Sequence, residues 1–149
     1  MEDGRRLRLF FDADVLIAGS ASTSGASFLL LHLADLRAIE GITSQQAVRE
    51  AERNLMAKLP AAVPAFRVMV ASALRVVDDP SPRTLRALRG RADAGDLPIL
   101  GAAMESEFDY LVTFNVRHFP RSDSPPRPIR PGDLVSRLRE LLAEQEGER

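Results

Sequence analysis

The sequence predicts an α/β domain of three layers, α/β/α, built on a mainly parallel sheet of four or five strands. Three observations predict it. Short apolar runs of strand length alternate with longer segments whose apolar residues recur at helical spacing, the pattern of a parallel sheet covered on both faces. The first such run, Leu7, Leu9, Phe10 and Phe11, stops abruptly at Asp12. Further acids then recur just after strands or where the next helices begin, on the side of the strands' carboxyl ends, where folds of this class bind ligands.

Taken in order, residues 7–11 form the first strand, Asp12 and Asp14 follow it, and Val15, Leu16 and Ile17 resume the apolar pattern. Residues 18–25, rich in Gly, Ser and Thr, have loop composition. A helix begins at Ala26 and is apolar on most faces through Leu36. A second strand is expected over 37–43, and Ser44 is a good N-cap for a helix with the stripe Ala47, Val48, Ala51, Leu55 and Leu59. Pro60 ends that helix or starts the next, which spans 61–73; a third strand covers 75–78. An arginine-studded helix is expected over 84–91, and a loop, 93–96, opens a helix running from Leu97 to Met104. Residues 110–113 form the fourth strand, 121–128 a Pro/Ser loop, and Ile129 belongs to a short fifth strand. Pro131 opens a last amphipathic helix through Leu142, and the tail at 143–149 is polar and expected to fray. No internal repeat and no second domain is visible, so residues 1–149 read as one domain.

Composition narrows the chemistry. The chain of 149 residues can bury a real core, and 45% hydrophobic with 28% charged residues is the balance of a soluble globular protein. Cysteine is absent, which excludes disulfides and thiolate metal sites, and the two histidines, His32 and His118, are too few for a typical zinc site. Any metal would be held by oxygen, which suits Mg²⁺ or Mn²⁺. Arg5, Arg6 and Arg8 precede only a short apolar run without a cleavage site, and no run approaches membrane-spanning length. The expectation is a cytoplasmic protein with no membrane segment. The net charge of −1 supplies no global basic field. Arginines nevertheless crowd two stretches, Arg83, Arg86, Arg89 and Arg91, then Arg117, Arg121, Arg127 and Arg130; they suit either phosphate binding or a solvated helix face.

The acids and their neighbours are the candidate site. Asp12 and Asp14 follow the first strand, Glu50 lies on the helix after the second, Asp93 and Asp96 precede the helix before the fourth, and Thr113 and Asn115 end the fourth. Carboxylates sharing a pocket repel, and a divalent cation removes that cost while acidifying a bound water. Such a set suits phosphodiester hydrolysis. Taken singly, each residue has a plainer reading: Asp12 as a turn cap, Asp14 as a solvent-facing acid, Asp96 as a helix N-cap, Asp93 as turn chemistry and Glu50 as surface charge.

In this order the motifs resemble the PIN-domain family, the fold of many prokaryotic toxin ribonucleases of the VapC type. Phe10-Phe-Asp12-Ala-Asp14 resembles its opening strand, Ser44 with the helix bearing Glu50 its second motif, Asp93-Ala-Gly-Asp96 its third, and Thr113-Phe-Asn115 its fourth. Asp14 stands where the family usually has a small polar residue, and Asn115 where it often has Asp. The resemblance implies a Mg²⁺- or Mn²⁺-dependent endoribonuclease. Asp12, Glu50 and Asp96 would hold the metal, Asn115 and Asp93 would assist, and Ser44 and Thr113 would orient the ligands. A metal-bound water would attack phosphorus in line, leaving a 5′-phosphate and a 3′-hydroxyl. It also implies a homodimer neutralised by a small antitoxin, with RNA as substrate.

Two rivals remain. One is a PIN fold kept as a binding module without catalysis, which Asn115 favours. The other is a haloacid-dehalogenase-like phosphatase with Asp12 as nucleophile and Asp14 as acid/base. That chemistry wants a downstream lysine, and the only lysine, Lys58, precedes Thr113.

Overall fold

The computed structural model describes residues 5–91, 97–119 and 127–147. Strands β1 (Arg8–Phe11), β2 (Glu40–Ser44), β3 (Leu74–Val77), β4 (Tyr110–Val112) and β5 (Arg127–Ile129) form one sheet in the order β3-β2-β1-β4-β5. Every neighbouring pair is parallel. Among the described residues the helices are α1 (Ala13–Ala21), α2 (Ala26–Asp35), α3 (Gln45–Lys58), α4 (Val63–Ala73), α5 (Pro82–Ala87), α6 (Leu97–Glu105) and α7 (Pro131–Gly147). No single helix there is long and apolar enough to cross a membrane.

The three layers follow from β1. Successive strand residues point to opposite faces, yet Leu9, Phe10 and Phe11 are all fully buried. Both faces must therefore be covered. Phe10 sits in register with Ile42 of β2 and Leu111 of β4 and meets Phe108 edge to face, with ring centroids 5.2 Å apart. Full burial of each such side chain contributes roughly 1.5–3 kcal/mol, so the middle of the sheet is also the centre of the core.

The sheet reverses direction of growth at β1. The chain first adds β2 and β3 on one side, then returns to add β4 and β5 on the other. In open parallel sheets such a switch point leaves a crevice at the carboxyl ends of the two central strands. Here those ends lead into Asp12 and into Thr113, and Asp12 N–H donates to the Val112 carbonyl at 3.0 Å, which fastens the two together.

Several boundaries differ from the sequence expectation. Residues 13–21 are helical, where the apolar pattern and the loop composition of 18–25 suggest no helix. Packing overrides weak propensity here. Asp12 caps α1 through Ala13 N–H, and Gly19 lets α2 come close: a Cβ there would lie 2.3 Å from Leu31 Cδ1 and 3.3 Å from the Ser27 backbone. The second strand begins at Glu40 rather than at 37, because α2 ends in a Schellman motif. Arg37, at φ 64°, takes the left-handed position, with Arg37 N–H on the Ala34 carbonyl and Ala38 N–H on the Leu33 carbonyl. The arginine-bearing helix α5 is shorter and earlier than expected, and α7 continues to Gly147, past the point where fraying is expected. Most of the Pro/Ser loop at 121–128 lies outside the described residues.

Gly41 in β2 faces a tight wall, since a Cβ would stand 2.8 Å from Leu74 Cδ2, 2.9 Å from Ala34 Cβ and 3.2 Å from the Ala73 carbonyl oxygen. Gly41→Ala should therefore destabilise the protein by about 1–3 kcal/mol through overpacking, measured by urea unfolding; an unchanged midpoint would show that this wall yields.

Candidate active site

At the carboxyl end of β1, Asp12 adopts extended backbone (φ −72°, ψ 159°) and turns its side chain back as the N-cap of α1. Its Oδ1 accepts from Ala13 N–H at 2.7 Å and its Oδ2 from the Thr113 hydroxyl at 2.8 Å. One carboxylate thus joins the start of α1 to the end of β4, and it is only 7% exposed. Thr113 is fully buried, and its hydroxyl in turn accepts from Asn115 N–H at 3.1 Å.

Asp14 turns toward the same crevice, not toward solvent. Its Oδ2 accepts from Phe114 N–H at 3.0 Å and from the Asn115 side-chain amide at 3.1 Å. Its Oδ1 is buried with no hydrogen-bond partner. Asp12, Asp14, Thr113 and Asn115 therefore form one connected network. Sequence reading offers no reason to single out the Phe114 backbone, because a main-chain donor leaves no trace in residue identity.

The second motif contributes differently. Ser44 is buried, and its hydroxyl accepts from Ala47 N–H at 3.1 Å, so it caps α3. Thr43 donates its hydroxyl to the Phe11 carbonyl at 2.7 Å and ties that cap to the end of β1. On α3, Glu50 is exposed, and its charge acts on both Asp12 and Asp14. Glu52 points elsewhere and pairs with Arg67 of α4 at 2.7 Å. The geometry thus brings together Asp12, Asp14, Thr113 and Asn115, with Glu50 near enough to be felt. Asp93 and Asp96 lie outside the described residues.

Burial holds the Asp12 carboxyl up at about 7 instead of 3.8, reinforced by the charges of Asp14 and Glu50 and opposed by the Thr113 and Ala13 hydrogen bonds. Burial raises Asp14 as well, opposed by the hydrogen bonds from the Phe114 backbone and the Thr113 hydroxyl. Neither acid has an ion-pair partner among the described residues, whereas Glu40 and Asp109 at the other end of the sheet are paired with arginines. Oxygen-only donors, a buried carboxylate oxygen without a partner and unneutralised acids fit a hard divalent cation. Among the described residues no three acids or histidines already form a group able to hold one, so Asp12, Asp14 and Glu50 would need a further donor.

The acids do not line the apolar groove on the helical layer. A groove of about 480 Å³ runs between the end of α1, α2 and α4, and its walls, including Phe28, Leu31, Val68 and Met69, are mostly apolar. Chemistry, not volume, marks the crevice at β1 and β4.

The pH dependence follows from Asp12. Its folded-state pKa lies above the unfolded value, so the folded chain holds the proton more tightly. Its contribution is neutral below about pH 4, becomes destabilising as pH rises, and is fully developed above about 7, at up to about 4 kcal/mol. In metal-free buffer, stability to urea should fall between pH 5 and 8. Asp12→Asn forfeits one hydrogen bond, worth about 1 kcal/mol, but removes the larger penalty, so the variant should be more stable than wild type at pH 8 with a flatter profile. Parallel profiles would mean that another group titrates.

The PIN domain family model matches residues 8–117, which contain β1 through β4 and every acid of the network. No curated protein matches the chain by sequence. Among solved structures the fold is similar to a chain in the crystal structure of VapBC2 from Rickettsia felis bound to a DNA fragment from their promoter. The TM-score is 0.61 and the identity 13%, over 83% of this chain and 98% of that one. With the family's model covering most of the sequence and its fold reproduced, the chain belongs to the PIN-domain family.

Proposed function

We propose that this protein is a metal-dependent endoribonuclease that hydrolyses RNA phosphodiester bonds, and that it is the toxin of a toxin–antitoxin pair in the cytoplasm. The observation that carries the catalytic reading is the buried Asp12 beside the half-buried Asp14, neither with a cationic partner among the described residues, at the switch point of a PIN-family sheet. The toxin reading rests on the similarity of the fold to a chain of the VapBC2 complex. By the same resemblance the partner is a small antitoxin and the protein a homodimer.

In this reading Asp12, Glu50 and Asp96 hold Mg²⁺ or Mn²⁺, with Asn115 and Asp93 assisting. A bound divalent ion supplies Lewis acidity toward the phosphate and lowers the pKa of water. Thr113 holds one oxygen of Asp12, leaving that carboxylate a single orientation. Asp14 holds Asn115 and the Phe114 backbone, which fixes the turn after β4. Ser44 acts at one remove, by fixing the start of the helix that carries Glu50.

The second reading, a binding module without catalysis, draws on Asn115. Its amide neutralises one Asp14 oxygen by hydrogen bonding where a further acid would add charge.

Two measurements decide. Mg²⁺ or Mn²⁺ should raise the melting temperature of the wild type, because an ion that binds only the folded state stabilises it; Asp12→Asn should abolish that shift. Residues two apart on a helix point about 200° from each other, so Glu50 and Glu52 cannot serve one pocket. Glu50→Gln should lower metal-dependent RNA cleavage more than about 100-fold, while Glu52→Gln stays within a few-fold and loses only the Arg67 contact. The reverse order would make Glu52 the ligand. A metal-induced shift without cleavage of any RNA would favour the binding module.

A further inference from the structure

The acids account for bond cleavage but not for how a polyanion is held beside them in a chain of net charge −1. The turn that follows β4 supplies the missing features. Phe114 lies between Thr113 and Asn115, its N–H fixed on Asp14, yet it is 43% exposed. A large aromatic side chain is normally buried, and this one stands at the rim of the crevice. The same turn continues through Val116 into a cavity of about 180 Å³ at the carboxyl ends of β4 and β5, walled by Arg117, Arg130 and Asp133 over Val116, Pro128 and Ile129. The side chains of Arg117 and Arg130 are exposed and make no hydrogen bond or ion pair among the described residues, unlike those of Arg8, Arg49 and Arg67. Asp133 lies in the first turn of α7, where its charge complements the helix dipole. Two guanidiniums against one carboxylate leave the cavity net positive.

Resting on the nuclease reading, we propose that Phe114, Arg117 and Arg130 form a subsite for single-stranded RNA, in which a base stacks on Phe114 and a backbone phosphate enters the Arg117–Arg130 cavity. Phe114 and Arg117 are three positions apart in the chain, at most about 10 Å, so both fall within reach of adjacent nucleotides. An aromatic platform beside a basic groove is how proteins hold single strands without reading their sequence. The planar fork of arginine suits phosphate oxygens. A duplex, whose bases are already stacked, offers Phe114 no free face.

The test is fluorescence anisotropy of a labelled single-stranded RNA with the full-length protein in EDTA, where the strand stays intact. Phe114→Ala should weaken binding about 10-fold with the salt dependence unchanged, and Phe114→Trp should restore it. The double variant Arg117→Gln/Arg130→Gln should weaken binding at least about 10-fold and reduce the slope of log K against log salt by about 0.7, the loss of one phosphate contact on a single strand. The same RNA as a duplex should bind more weakly and ignore Phe114→Ala. Wild type that cleaves RNA with metal, while these variants bind as tightly as it does, overturns the subsite alone. Wild type that neither binds nor cleaves RNA overturns the nuclease reading and the subsite with it. Polyglutamate that displaces the labelled strand as well as unlabelled RNA does would make the surface an acceptor for acidic protein and overturn the assignment.

Discussion

The structure depends on one buried carboxylate, that of Asp12. It terminates β1, starts α1 and holds the end of β4, all with two oxygens. Removing such a group from water is costly unless its hydrogen bonds and charge are satisfied. The bonds are satisfied here but the charge is not, and burial therefore drives the carboxyl toward its protonated form. An arrangement that uses a destabilising group as its central connector is hard to explain by stability alone. It is readily explained by a site whose counter-charge arrives with a ligand.

The two ends of the sheet show that this is a choice of position and not of composition. At the amino ends of the strands Arg8 lies 3.0 Å from Glu40, Arg75 reaches the same carboxylate at 3.7 Å, and Arg5 lies 3.0 Å from Asp109. Asp109 also accepts from Arg8 N–H at 2.8 Å and so pins β1 beside β4. Ion pairs at or near the surface contribute little individually, but they leave Glu40 and Asp109 with arginine partners. At the carboxyl ends, Arg49 pairs with Asp79, Arg117 and Arg130 stand across the turn after β4, and Asp12 and Asp14 are unpaired among the described residues. Asp12 and Asp14 are therefore kept apart from these two arginines.

The parts legible in the sequence are those that a periodic or abrupt signal records. The run through Leu9, Phe10 and Phe11 and its stop at Asp12 identify the central strand, because burial on both faces removes alternation and leaves a purely apolar run. The helix of Ala47, Ala51 and Leu55 follows from its stripe and from Ser44. Helix α1 was not legible, since it is buried on so many sides that its apolar residues show no period, and its Gly19 serves close packing. The direction of Asp14 was not legible for the same reason: without a helix there is no way to know that two residues of rotation carry it toward β4. Glu50 and Glu52 have equal claims by spacing to the buried stripe. What separates them is Arg67, distant in sequence, which takes Glu52. Asp93 and Asp96 lie outside the described residues.

Asn115 bears on how much cation the crevice demands. Asp14 Oδ2 is satisfied by two donors from the turn after β4, while Oδ1 is buried and bare. The carboxylate is thus divided into a half held by the protein and a half left for something else. An acid at position 115 would replace one of those donors with a like charge, raise Asp14 further and call for additional positive charge to hold the site together. Asparagine instead keeps the turn closed on Asp14 without it and makes the crevice one unit less negative than an acid there would. The unsatisfied charge then falls mainly on Asp12, whose hydrogen bonds to α1 and to the end of β4 fix it in place.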